Sequence, residues 1–211
     1  MEQASDDEMG YVHLRATGTE DYGQWVRDFF PVLDRKGLII DMRNNNGGNI
    51  DSWILTSLLR QPWAYWQGRV GIPYSNMQLS FRGHIAVLCN EWTASDGELF
   101  CEGVRRLGLG KTIGTRTWGG EVWLSYDNVM VDRGIASAAQ SGVYAPEGIW
   151  LIEGHGFEPD IIVDNLPHAT FNGKDAQLEA AIEYLKEQIR QDPPTVPSAP
   201  VHPDKSFKSG Q

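Results

Sequence analysis

Two continuous apolar segments, each followed by a loop and a helical pattern, constrain the fold more than any other feature. They are Gly37–Asp41 (GLIID) and His84–Cys89 (HIAVLC). Uninterrupted apolar runs of this length are typical of strands buried on both faces of a parallel sheet. Glycine- and asparagine-rich loops follow, and helices are predicted over 50–60 and 95–107. The repeated strand, loop and helix predict an α/β fold with a parallel or mixed sheet and flanking helices.

Further patterns extend this core toward both ends of the chain. We predict one core domain over residues 10–190, an acidic lead at 1–9 that resembles the remnant of a linker, and a flexible proline-rich tail at 191–211. The remaining strands are expected at 10–14, 111–115, 129–131 and 161–163, and the remaining helices at 21–33 and 175–190.

Charge and cysteine content exclude several classes of function. The formal net charge of the 211 residues is −10, without the clusters of Lys and Arg that bind phosphate backbones, so no nucleic-acid partner is expected. No apolar run approaches the roughly 20 residues that span a bilayer, so no membrane partner is expected. The two cysteines, Cys89 and Cys101, are interpreted as buried thiols. The histidines lack metal-ligand spacing, and no metal site is predicted.

Ser95 is placed where chemistry is possible. It follows a buried strand and a short loop, at the first turn of a predicted helix. A hydroxyl there lies at the carboxyl end of the sheet, beside backbone N–H groups that can stabilise an oxyanion. The alternative is structural, because Ser95-x-x-Glu98 also forms a capping box, in which each side chain satisfies a backbone N–H of the other residue.

The loop over 44–49 is a second candidate at the same end of the sheet. Its adjacent glycines, Gly47 and Gly48, allow backbone N–H groups to approach a ligand closely. Phosphate binding is not favoured, because no Lys-Ser or Lys-Thr pair follows the glycines. The alternative is an ordinary turn between strand and helix.

Three ordered segments resemble the S41 serine peptidases. They are 37–48 (GLIIDMRNNNGG), 84–97 (HIAVLCNEWTASDG) and 150–160 (WLIEGHGFEPD). Within that family the resemblance is closer to the tricorn branch than to the C-terminal processing peptidases. It implies a core fold like those of Clp peptidase and crotonase, a peptide substrate, no cofactor and assembly into a homo-oligomer. It also implies a cytoplasmic location, with export as the alternative.

The resemblance assigns roles to individual residues. Ser95 corresponds to the nucleophile and Glu153 to the glutamate that completes the relay through a histidine. The oxyanion hole corresponds to the N–H groups of Asp96 and of either Gly47 or Gly48. Thr115 stands where the processing branch would place a catalytic lysine, so a Ser-Lys pair is not expected.

The general base is the residue that the sequence does not supply. No histidine matches that of the tricorn branch, so we expect the base to come from an upstream segment and the chain to be a fragment. His155, two residues after Glu153, is the internal candidate. Two other functions stay open: a non-catalytic peptide-binding or assembly domain, which needs no base, and a crotonase-like acyl-CoA enzyme, which needs no serine nucleophile.

Overall fold

The computed structural model describes residues 7–124 and 129–206, which form nine strands and five α-helices. The strands are β1 Met9–His13, β2 Gly37–Asp41, β3 Ala64–Trp66, β4 Tyr74–Asn76, β5 His84–Cys89, β6 Gly110–Gly114, β7 Trp123–Leu124, β8 Ala139–Ser141 and β9 Ile161–Ile162. The helices are α1 Tyr22–Phe29, α2 Asp51–Leu58, α3 Asp96–Arg106, α4 Pro167–Phe171 and α5 Ala176–Gln191.

A five-stranded parallel sheet in the order β1-β2-β5-β6-β9 forms the centre of the molecule. The predicted α/β class with a parallel or mixed sheet is therefore confirmed, and all four strand pairings of this sheet are parallel. In the register of β2 and β5, Asp41 lies opposite Leu88. The two loops that follow these strands consequently leave the sheet side by side at its carboxyl edge.

Both faces of the sheet are covered, as the apolar runs predict. Side chains alternate along a strand, so Leu38 and Ile40 pack into the layer that contains α1, α2 and α3. Ile39 points to the opposite face, where Leu185 of α5 contributes to a second apolar cluster. All four of these side chains are fully buried.

Several segments differ from the prediction. Residues 129–131 do not form a strand: Val129 makes one isolated bridge to Ile135, because the chain turns at Arg133, whose N–H donates to the Met130 carbonyl. The predicted helix over 21–33 ends as an α-helix at Phe29, since Pro31 follows in a short 3-10 turn. Strand β1 begins at Met9, one residue before the predicted start.

The tail after α5 carries no helix or strand over residues 192–206. Its first residue nevertheless contacts the sheet, since the Asp192 carbonyl lies 2.7 Å from His84 Nε2. Among the described residues, no helix combines the length and apolar character that crossing a bilayer requires.

Candidate active site

Ser95 occupies a strained turn between β5 and α3. Its φ is 53° and its ψ is −126°, a backbone conformation that residues other than glycine rarely adopt. A serine on a sharp strand-to-helix turn exposes its hydroxyl above the sheet, as in nucleophile elbows. The segment Ala94-Ser95-Asp96-Gly97 does not match the G-x-S-x-G pattern, so no local motif predicted this strain. Strain of this kind is concentrated at functional sites.

Asn45 holds the loop after β2 against the Ser95 turn. The side chain is fully buried, its Nδ2 donates to the Leu14 carbonyl at 2.7 Å and its Oδ1 accepts from the Gly47 N–H at 2.8 Å. Its own carbonyl accepts from the Ala94 N–H at 2.8 Å. One buried residue therefore fixes three chain segments around the serine, a role that the sequence did not reveal.

Two backbone N–H groups beside Ser95 are available to a ligand. Asp96 is the first residue of α3, so its N–H has no acceptor within the helix. The Gly48 N–H also makes no hydrogen bond to any described residue, whereas the Gly47 N–H is engaged by Asn45. Of the two glycines that the family resemblance allowed, Gly48 is therefore favoured as the donor.

Gly47 has a different role, because it packs directly against the Ser95 turn. Its φ is +92°, and a Cβ added there would lie 2.7 Å from Ser95 Cβ. Such a distance is too short for two carbon atoms, and the contact cannot relax without moving Ser95. Glycine is thus required both by the backbone conformation and by the approach of the serine.

Replacing Gly47 by alanine is expected to slow the reaction of Ser95 with a fluorophosphonate by about 100-fold, because misplacing a reacting group by about 1 Å has effects of this size. Gly71→Ala is the matched control, since Gly71 also has a positive φ, +99°, but has open space around its Cβ position. Equal labelling of both variants would show that the contact with Ser95 does not matter.

Glu98 connects the Ser95 turn to the loop over 117–120. Its side chain is fully buried, and Oε2 accepts from the N–H of Ser95 and of Gly120, each at 3.0 Å. Oε1 accepts from the Gly119 N–H at 2.7 Å and from the Thr117 hydroxyl. The predicted capping box is present, although the Ser95 hydroxyl makes no cap hydrogen bond of standard geometry. The Glu98 side of the motif does more than cap the helix.

Glu153 lies on the far side of that loop. Its Oε2 accepts from the Glu121 N–H at 2.6 Å and from the Val122 N–H at 3.1 Å. Glu121 and Val122 directly follow the loop over 117–120. Glu98 therefore fixes one end of this segment to Ser95, and the other end holds the carboxylate of Glu153. No direct hydrogen bond joins Ser95 and Glu153 in the described part of the chain.

Two carboxyl groups near Ser95 have raised pKa values. Burial, reinforced by the charge of Asp51, raises the pKa of Asp96 to about 6, although its Oδ2 accepts from the N–H groups of Ile50 and Asp51, each at 3.1 Å. Burial and four neighbouring carboxylates raise the pKa of Glu121 to about 8. The surroundings of the serine are therefore strongly acidic.

The rings of His13, His84, His155 and His168 make contacts with groups other than Ser95 and Glu153. His155 Nδ1 lies 2.8 Å from the Gly156 carbonyl, and the His13 ring lies 3.3 Å from the Arg43 carbonyl. The rings of His84 and His168 contact Asp192 and Asn172. Within residues 7–124 and 129–206, no histidine hydrogen-bonds to Ser95 or Glu153, and no group of three or more His, Cys, Asp or Glu side chains is arranged to hold a metal ion.

Two clefts border the site. A mainly apolar cleft of about 400 Å³ lies beside Glu153, between Val122 and Trp150. A larger, polar cleft of about 650 Å³ is lined by Trp92 and by the ion pairs that Arg43 makes with Asp41 and Asp175. The smaller cleft is the better candidate for a substrate side chain, since it adjoins a predicted catalytic residue.

Comparison with known proteins identifies relatives over most of the chain. The tricorn protease of Thermoplasma acidophilum is 32% identical over 188 residues, 89% of this chain and 18% of that protein. A putative tricorn-like protease C-terminal subunit of Sulfurisphaera tokodaii is 33% identical, over 90% of this chain and 22% of that protein. The chain thus spans about a fifth of the length of these relatives.

A solved structure and a family model agree with these relatives. A crystal structure of the tricorn protease superimposes with a TM-score of 0.84 and 32% identity, covering 90% of this chain and 18% of that chain. The family model described as peptidase family S41 matches residues 8–163. The match includes the strained serine, the glycine loop and Glu153, and the chain therefore belongs to peptidase family S41.

Proposed function

We propose that this chain is the nucleophile-bearing part of a serine peptidase. Ser95 Oγ attacks the carbonyl carbon of a peptide bond, and the N–H groups of Asp96 and Gly48 stabilise the negative oxygen of the tetrahedral intermediate. The observation that carries this proposal is the strained Ser95 turn beside two N–H groups that no described residue engages. An ordinary helix cap requires neither feature.

The reaction also needs a general base, because a free serine hydroxyl is scarcely ionised at neutral pH. We propose that a histidine from another segment enters between Ser95 and Glu153, since no histidine of the described residues contacts either of them. This histidine takes the Ser95 proton and gives it to the leaving amine as the C–N bond breaks. Water then hydrolyses the ester on Ser95, and Glu153 stabilises the imidazolium through both steps.

The substrate side chain next to the cleaved bond is assigned to the cleft beside Glu153. Apolar groups line most of this cleft, and the indole of Trp150 forms one wall. An apolar or aromatic side chain of a peptide would fill such a cleft and release water from it. A peptide series that varies only this residue tests the assignment, with apolar residues expected to give the highest kcat/KM.

Peptide hydrolysis tests the proposal as a whole. It is measured for this chain, and for a longer protein with the preceding histidine-containing segment, each beside its Ser95→Ala variant. We expect the longer protein to cleave, and Ser95→Ala to lower kcat by about 10⁴-fold or more. Cleavage that is unchanged in Ser95→Ala would contradict the proposal.

A second function is favoured by one observation, the absence of a base at Ser95 within the described residues. A domain that binds peptides or assembles without turnover needs a peptide-binding cleft but no general base. It would bind peptide and would not react at Ser95, even with the longer segment present. A crotonase-like acyl-CoA enzyme also needs no serine nucleophile, so covalent labelling of Ser95 would exclude it.

Assembly into a homo-oligomer is also proposed. Trp63 and Trp66 are 74% and 57% exposed on the β3–β4 hairpin, and exposed aromatic side chains are enriched at subunit contacts. Light scattering on the purified chain tests this, and a single species with the mass of one chain would argue against it.

A further inference from the structure

Glu121 directly follows the loop over 117–120, which connects the Ser95 turn to Glu153. The residue before it, Gly120, donates its N–H to the same Glu98 oxygen that accepts from the Ser95 N–H. Its own N–H donates to Glu153 Oε2 at 2.6 Å. The backbone of Glu121 therefore carries the contact through which the loop holds Glu153.

The side chain of Glu121 is held differently from the acidic groups around it. Its Oε2 is buried and has no hydrogen-bond partner among the described residues. A buried carboxylate without a partner is unfavourable, whereas its neutral form loses much less on leaving water. The surroundings of this oxygen thus favour a protonated carboxyl.

The acidic neighbours of Glu121 also favour its protonated form. The groups that face Glu121 are Asp51 at the start of α2, Asp96 and Glu98 in α3, and Glu153, and all of them are acidic. Asp96, Glu98 and Glu153 each accept at least two backbone N–H groups, whereas Glu121 Oε2 accepts none from the described residues. Burial, followed by the charges of these neighbours, raises the pKa of Glu121 to about 8.

We infer that Glu121 is a positioning residue whose neutral carboxyl keeps Glu153 docked on the N–H groups of Glu121 and Val122. When Glu121 ionises, its carboxylate repels that of Glu153, and Glu153 leaves the N–H groups of Glu121 and Val122. The inference rests on the proposed function, in which Glu153 orients the base for Ser95. We assign this role to Glu121 because N–H groups donate to the carboxylates of Asp96, Glu98 and Glu153, whereas none from the described part of the chain donates to Glu121 Oε2.

Two pH effects follow, and their signs differ from those of an ordinary surface glutamate. The reaction of Ser95 should fall as the pH rises through about 8, the value at which Glu121 ionises. The folded-state pKa lies above the ordinary 4.5, so the stability that Glu121 contributes is fully present below about 4.5 and is lost as the pH rises to about 8. Glu121→Gln stays neutral and should show neither loss.

The direct test is nuclear magnetic resonance with ¹³C detection on the labelled chain, from about pH 5 to about pH 9.5. In the wild type, the Glu121 carboxyl and the backbone nitrogens of Glu121 and Val122 should shift together with a midpoint near 8. In Glu121→Gln the two nitrogens should stay in the position of the low-pH wild type. Glu158→Gln is the control, since Glu158 is an exposed glutamate outside the site.

Each outcome decides a separate statement. A Glu121 carboxyl that titrates near the ordinary glutamate value would overturn the inference, and so would backbone shifts that persist unchanged in Glu121→Gln. A fluorophosphonate rate that falls above pH 8 equally in both proteins would remove the effect on Ser95. If Ser95 does not react at all while the backbone signals behave as expected, the peptidase proposal fails and the docking of Glu153 by Glu121 stands.

Discussion

Glu98→Ala is expected to destabilise the fold by about 3–5 kcal/mol, because three backbone N–H groups and one hydroxyl lose their acceptor and each unsatisfied buried donor costs about 1–3 kcal/mol. Water can reach the partly exposed Gly119 and Gly120, which keeps the effect below the sum of four such losses. Urea unfolding monitored by tryptophan fluorescence measures the change. The reaction of Ser95 with a fluorophosphonate should be lost in the same variant, because Glu98 orients the serine backbone.

Glu98→Gln should not rescue the site. A glutamine presents one oxygen and one NH2 group, and the NH2 would face two N–H or O–H donors that need an acceptor. Glu158→Ala is the control for removing an exposed carboxylate and should change the stability by less than about 0.5 kcal/mol. A Glu98→Gln protein with wild-type stability and labelling would show that the four contacts are not what holds the turn.

Asn45→Ala is expected to cost about 2–4 kcal/mol, because the Leu14 carbonyl and the Gly47 N–H would both be left without partners inside the protein. The loss should extend to function. With Asn45 Oδ1 gone, the Gly47 N–H loses its acceptor and Gly47 is no longer held against Ser95. Thermal unfolding and the labelling rate of Ser95 should therefore decrease together.

Asn46→Ala is the matched control for this change, because Asn46 is the next residue in the same loop and its side chain is exposed. The backbone hydrogen bond of Asn46 to the Arg15 carbonyl does not depend on its side chain. We expect nearly wild-type stability and labelling from this variant. Similar losses in both variants would mean that the loop tolerates no change of sequence, and would leave Asn45 without a special role.

The parallel core could be predicted closely because its signals are local. The strand bounds predicted from the two apolar runs agree with β2 and β5 at every end. The predicted helix over 95–107 differs from α3 by one residue at each end. The β3–β4 hairpin carried no comparable signal, since its strands have three residues each and none of them is buried. The pattern of burial that makes a strand recognisable is absent there.

The candidate site was predictable only in part, because its contacts join distant segments. Ser95, Asp96 and the glycine pair follow buried strands, and parallel strands bring such loops to one edge of a sheet. The contact of Asn45 with Leu14 spans 31 positions, and that of Glu153 with Glu121 spans 32. Neither spacing has a period that sequence analysis can detect. The positive φ of Ser95 is likewise set by these contacts and not by a local motif.

The most direct test of the account is covalent labelling of Ser95. The chain is treated with a fluorophosphonate in the presence of the proposed histidine-bearing segment, and modified peptides are identified by mass spectrometry. We expect one phosphonyl group on Ser95, and no labelling of either Ser95→Ala or Glu98→Ala. A fluorophosphonate adduct on another serine, or no adduct on a folded protein that binds peptide, would contradict the assignment of Ser95 as the nucleophile.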